Sequence, residues 1–174
     1  MNIVVEQFFF EDWGSNSTWG IVLAESPNWV LIQTLPLDYI IDGFKVLNKN
    51  EIVKRERDSE AYQIERVLKL KKYESQIPQN FTFGTTQEIM KWVEDNYEIV
   101  GFQDDIEGET FFGKIREVKQ EEDTFFISSI DPQGLLDSEF DYEFSFDTVR
   151  VISFGDDYFN SLKLLWKDNI NDRR

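Results

Sequence analysis

Cysteine and histidine are both absent from this chain of 174 residues. The first absence removes disulfides, thiolate nucleophiles and thiolate metal sites. The second removes imidazole, the side chain most used as a general base or metal ligand near neutral pH. Unopposed positive charge is also scarce: 18 Lys and Arg face 34 Asp and Glu, for a net charge of −16. Such a field repels phosphate backbones and anionic lipid and speeds encounter with basic partners. Long apolar runs are missing too. The aromatic run Phe8 to Phe10 sits between Glu6 and Glu11, which fits neither a signal peptide nor a membrane span, so the expected location is cytoplasmic.

What is present is material for a core. Apolar residues make up 41% of the chain, with 16 Phe, 6 Tyr and 5 Trp, which excludes global disorder. The charge is uneven. Residues 1–72 carry 9 basic and 11 acidic side chains, net −2, whereas residues 73–174 carry 9 and 23, net −14.

The hydrophobic patterning alternates between periods of two and of three to four. Runs at Ile3 to Phe10, Trp19 to Ala24, Trp29 to Leu35, Phe44 to Leu47 and Ile52 to Arg55 predict strands. Turn-forming residues such as Glu25-Ser26-Pro27-Asn28 and Asn48-Lys49-Asn50 separate them. Asp58 or Ser59 then caps a helix with Ala61, Ile64, Val67 and Leu68 on one face. Thr85 and Glu88 form a capping box for a second helix carrying Ile89, Val93 and Tyr97. Further strands are expected at Gly113 to Val118, Thr124 to Ile130 and Asp147 to Val151, followed by a turn at Gly155 and a cap at Asp156. The last helix is expected to bury Tyr158, Leu162 and Leu165.

An internal echo links the two halves. Glu11-Asp12 and Asp104-Asp105, like Trp19-Gly20 and Phe112-Gly113, are 93 residues apart. Trp29-Val30-Leu31-Ile32 and Thr124-Phe125-Phe126-Ile127 are 95 apart, and Glu51, Tyr62 and Leu68 lie 96 before Asp147, Tyr158 and Leu164. Drift of this kind is what changed loop lengths between preserved strands produce. The expected organisation is a first small barrel plus helix over 1–72, a linker with a short helix over 73–96, and a second small barrel plus helix over 97–174. The fold class is therefore mainly β with helices, α+β, as two tandem antiparallel small barrels.

Phe112-Gly113-Lys114-Ile115, Ile130-Asp131-Pro132-Gln133-Gly134 and Gly155-Asp156-Asp157-Tyr158, with Trp29 to Ile32, Asp42-Gly43-Phe44 and Glu51-Ile52, form a pattern. It resembles uncharacterised bacterial cytoplasmic proteins with tandem Sm-like or SH3-like barrels. The resemblance covers about residues 18–72 and 110–165. It implies the fold and brings neither an activity nor a site.

Three constellations have chemical content. Asp104 to Glu109 is a candidate calcium loop, but aligning Gly108 with the loop glycine puts Gln103 at the first ligand position and Lys114 where a bidentate glutamate belongs. No metal, cofactor or catalytic residue is assigned. The segment Lys54 to Lys72 is basic but interspersed with acids, which argues for a mixed-charge surface and against nucleic-acid contact. Asp137, Glu139, Asp141 and Glu143 alternate with Phe140, Tyr142 and Phe144. In a strand they would form an acidic ladder on one face, the candidate docking site for a basic protein partner. The favoured expectation is a non-enzymatic acidic protein-binding module, with an inhibitor or immunity-type protein as a special case. An Sm-like RNA-binding protein or a carboxylate-dependent hydrolase are the alternatives; the first requires a positive groove and the second a pocket with convergent acids.

Overall fold

The structure is a computed structural model, and it describes residues 3–11, 17–104 and 109–172. Residues 12–16 lie outside the described residues, as do residues 105–108 of the acidic loop. The described residues are α+β, mostly antiparallel sheet with three α-helices. The chain forms two compact units, Met1–Phe81 and Thr82–Arg174.

The first unit holds β1 (Val5–Phe10), β2 (Ser17–Glu25), β3 (Trp29–Thr34), β4 (Phe44–Asn48), β5 (Ile52–Glu56) and α1 (Ser59–Leu70). The strands form an antiparallel meander from β1 to β4, and β5 returns to the open side of β1. The order is thus β4-β3-β2-β1-β5. Among the described residues β4 and β5 form no ladder with each other, so the sheet stays open rather than closing into a barrel. β2 carries an extra residue, Leu23, where the register to β3 shifts between Val22 and Ala24. Such a bulge bends the strand and increases its twist.

α1 begins at an Asp58 cap whose carboxylate accepts the N–H groups of Glu60 and Ala61 at 2.9 and 3.1 Å. Its apolar face, Ala61, Ile64 and Leu68, packs with Ile3, Val5, Ile21 and Leu35. Val67, expected on this face, is only partly buried, and Glu65 is on it instead, 5% exposed. The carboxylate is tolerated there because Val5 N–H donates to it at 2.9 Å and the Arg57 guanidinium at 2.7 Å.

The second unit starts with α2 (Thr86–Tyr97), followed by β6 (Val100–Gln103), β7 (Phe111–Lys119), β8 (Thr124–Ile130), β9 (Leu136–Asp137) and β10 (Phe144–Ser145). A 3-10 turn over Phe146–Thr148 leads to β11 (Val151–Phe154) and α3 (Asp157–Asp172). The expected capping box is formed: Thr85 N–H donates to Glu88 Oε2 at 2.8 Å and Glu88 N–H to Thr85 Oγ1 at 3.2 Å. α2 was expected to be a bridge within a linker. It packs against β6, β7 and β11, and it falls inside the second unit. Its buried Ile89, Met90 and Val93 explain why: an amphipathic face of this size needs a sheet beneath it.

The sheet order here is β10-β8-β7-β6-β11, with β9 also paired to β8. This sheet too is open among the described residues. β7 has an extra residue, Arg116, at a register shift between Ile115 and Glu117. α3 is entered through Gly155 at φ +74°, and Asp156 accepts Phe159 N–H at 2.6 Å. Its buried face is Phe159, Leu162 and Trp166, whereas Tyr158 and Leu165 are 52% and 47% exposed. The expected face was therefore one-third right. Tyr158 and Leu165 flank the stripe, and Phe159 takes the core position because its ring packs edge-on against Tyr97 and Phe112. The pairing of Leu68 with Leu164 also fails in burial, since Leu68 is sealed and Leu164 is 67% exposed.

Candidate interaction surface

The acidic segment does not form one strand. β9 pairs Asp137 with Ser129 and Leu136 with Ile130, and β10 pairs Phe144 with Phe125 and Ser145 with Thr124. Six residues, 138–143, therefore run opposite only three of β8, Phe126 to Ser128. The expected ladder is corrected to an interrupted strand with an excursion in the middle. Local bonds explain the interruption. The Asp137 carboxylate accepts Glu139 N–H at 2.9 Å, and Ser138 C=O accepts from Arg116, offering the chain a turn in place of the ladder.

Asp137, Glu139, Asp141 and Glu143 are all exposed, as expected of a surface site. They are not equivalent. Glu143 accepts from the Thr124 hydroxyl at 2.7 Å and from Lys119 Nζ at 2.9 Å. Those two bonds, the hydroxyl first, hold its carboxyl below the usual range. Asp137 is engaged in its own turn. Glu139 and Asp141 make no ion pair with any described residue, which leaves two carboxylates available in the excursion.

The intervening aromatics build the floor. Phe144 is 1% exposed and lies 4.6 Å from Tyr142, 4.8 Å from Phe111 and 6.3 Å from Phe140, centroid to centroid. Beneath it the rings of Phe102, Phe125 and Phe146 continue into the core. Phe111 also lies 6.3 Å from Phe140 and 6.4 Å from Tyr142. Tyr142 is 42% exposed, and Phe111 and Phe140 are half-buried. Sequence reasoning missed Phe111, which lies 29 residues before Phe140. It reaches the floor because β7 and the excursion both border β8, a tertiary relation with no local sequence signal.

Basic side chains of the first unit are already engaged. Arg55 donates to Glu25 through both terminal nitrogens at 3.1 and 2.7 Å, and to Glu6 at 2.7 Å. Lys49 bonds Glu25 at 3.0 Å, Arg57 bonds Glu65, and Lys54 pairs with Glu56. The Arg55 hydrogen bonds, opposed by partial burial and supported by Lys49, lower the Glu25 carboxyl to about 2. A shallow groove of about 220 Å³ lined by Lys49, Ile52, Val53, Lys54 and Arg55 contains no carboxylate. A smaller recess of about 30 Å³ lies between the 134–136 turn and Trp166 of α3. Of the candidate calcium loop, Asp104 is 3% exposed and Glu109 is exposed. Trp29, Phe8 and Phe10 are core residues.

No helix of the described residues is long and apolar enough to cross a membrane. No family model matches the chain, and no curated protein or solved structure matches it.

Proposed function

We propose that this protein is a non-enzymatic, cytoplasmic binding module whose second unit presents an acidic, aromatic-floored surface to a basic protein partner. The observation that carries this reading is the excursion over 138–143. It holds exposed Glu139 and Asp141, with no ion pair among the described residues, in the same short segment as Phe140 and Tyr142, whose rings lie 6.3 and 6.4 Å from that of Phe111. Loops held by a rigid ladder are where binding residues concentrate, and carboxylates beside aromatic area suit a basic partner. An inhibitor of a basic protein is one role of this kind. For RNA binding, the engaged state of Lys49, Lys54, Arg55 and Arg57 is unfavourable, because a backbone site needs unopposed charge.

The same reading includes the repeat: two copies of one plan, an open antiparallel meander with a returning strand and a helix, in place of the closed barrels of the tandem Sm-like or SH3-like proteins that the sequence resembles. Three features support it. The order of strands is the same in both units. The bulged residues Leu23 and Arg116 are 93 apart, while the residues paired just before them, Ile32 and Ile127, are 95 apart. The helix caps Asp58 and Asp156 are 98 apart, as are the buried pairs Ala61 and Phe159, Ile64 and Leu162, and Leu68 and Trp166.

The test is capture of partners from native lysate, nuclease-treated, with wild-type protein and with Glu139→Gln/Asp141→Asn/Glu143→Gln. A basic protein retained at low salt, released at high salt and lost with the triple variant is the expected result. Equal retention by the variant, or recovery of nucleic acid in place of protein, overturns the reading.

A further inference from the structure

The aromatic floor gives the partner a more specific chemistry, which rests on the basic-partner reading above. Elsewhere this chain places its own cations over aromatic rings. Lys54 lies over Phe9, Arg55 over Phe8 and Arg57 over Tyr62 in the first unit, at 5.1 to 5.2 Å from the ring centroids. In the second unit Arg116 and Lys119 both lie over Phe126, at 5.5 and 4.9 Å. Phe126 belongs to the stretch of β8 opposite the excursion. Among the described residues no cation lies over Phe111, Phe140 or Tyr142. Phe140 and Tyr142 are the chain neighbours of Glu139 and Asp141, so the surface has rings and carboxylates, the two halves of a cation site. The cations that reach the excursion among the described residues, Arg116 and Lys119, are engaged instead with the Ser138 carbonyl, Glu143 and the Phe126 ring.

We infer that this surface takes an arginine side chain from an extended basic segment of the partner, the guanidinium against the Phe111, Phe140 and Tyr142 rings and its nitrogens toward Glu139 and Asp141. Arginine fits better than lysine for a physical reason. A guanidinium is planar and weakly hydrated, stacks on rings and forks onto carboxylates, whereas an ammonium is a strongly hydrated point charge. The ring contribution is the part a purely acidic surface lacks.

The experiment uses the full chain and fluorescein-labelled Gly/Ser peptides carrying spaced arginines, lysines or neutral citrullines. Binding is read by anisotropy and located by amide chemical shifts. Expected is the affinity order arginine, lysine, citrulline, with shifts concentrated in 138–143. Tyr142→Leu and Phe140→Leu, each checked for unchanged melting, are expected to weaken the arginine peptide about threefold to tenfold, and Tyr142→Phe to leave it unchanged. If the leucine variants bind like wild type while Glu139→Gln/Asp141→Asn weakens binding, the ring inference fails and the acidic surface survives. If the wild type fails to bind the arginine peptide even at low salt, or the shifts lie elsewhere, the basic-partner reading fails as well.

Discussion

In the first unit the fourth strand, β4, is continuous and pairs along all five of its residues with β3. In the second the corresponding place beside β8 is held by β9 and β10, two residues each, with 138–143 thrown out between them. The inner strands differ far less. β1, β2 and β3, like β6, β7 and β8, form an antiparallel meander with one bulge in the middle strand. A strand with two neighbours cannot gain residues without breaking two ladders, whereas β9 and β10 border β8 alone and their interruption breaks one. Variation therefore collects at that strand, and the acids and rings of the second unit collect with it.

The largest effect should separate the two units. Leu162→Asp places a carboxylate on the buried face of α3, at a position 2% exposed, and should cost about 4 kcal/mol or more. Amide exchange should show the second unit opening while β1 to β5 stay protected. Leu165→Asp, 47% exposed, is the control, and an equal loss there would break the assignment of the buried face.

Next come the two glycines in equivalent positions. A Cβ on Gly20 would meet Ile32 Cδ1 at 2.6 Å, Ile32 Cβ at 2.8 Å and the Gln33 carbonyl oxygen at 3.0 Å, while one on Gly113 would run most closely into the Ser128 carbonyl oxygen. The nearest atom is the mobile end of a side chain at Gly20 and a fixed ladder carbonyl at Gly113. Gly113→Ala should therefore destabilise by about 2–3 kcal/mol and Gly20→Ala by about 1 kcal/mol. Denaturant melts that reverse this order would contradict the comparison of the two registers.

Glu65→Ala should cost about 1–3 kcal/mol, because Val5 N–H loses its acceptor in a sealed site. At the position 98 residues on, in α3, stands Lys163, so this sensitivity should be confined to the first unit.

The smallest effect concerns pH. Glu25 has a folded-state value depressed to about 2 from 4.5, so its contribution is complete above about pH 4.5 and is lost as the pH falls toward 2. The carboxylate is 34% exposed, and solvent screening limits the contribution to about 1 kcal/mol. Glu25→Gln should lower stability by that amount at pH 7 and by progressively less below pH 4.5, followed by melting at a series of pH values. A difference that grows toward acid would have the wrong sign.

Much of the ladder was legible because its signals are local. The strands at Trp29, Phe44, Ile52 and Thr124, the Asp58 and Asp156 caps and the Thr85–Glu88 box each follow from alternation or from side chains bonding within four residues. The helix faces were read less well. Identities between Tyr62 and Tyr158 suggested a spacing of 96, but both tyrosines are exposed and do not report the buried stripe. The acidic segment was read as a site in the right residues and the wrong geometry, because strict alternation cannot show that Asp137 turns the chain onto itself.

By itself, then, the sequence determined composition, charge asymmetry, most strand and helix positions and the exposure of Asp137, Glu139, Asp141 and Glu143. Each of these depends on hydrophobic period, turn chemistry or charge within a short window. Only the tertiary structure decided that the fourth strand of the second unit breaks, that Glu65 is sealed under Val5 and Arg57, and that Phe111 joins Phe140 and Tyr142. Those outcomes depend on which strands lie side by side, and pairing between residues distant in the chain leaves no periodic trace along it.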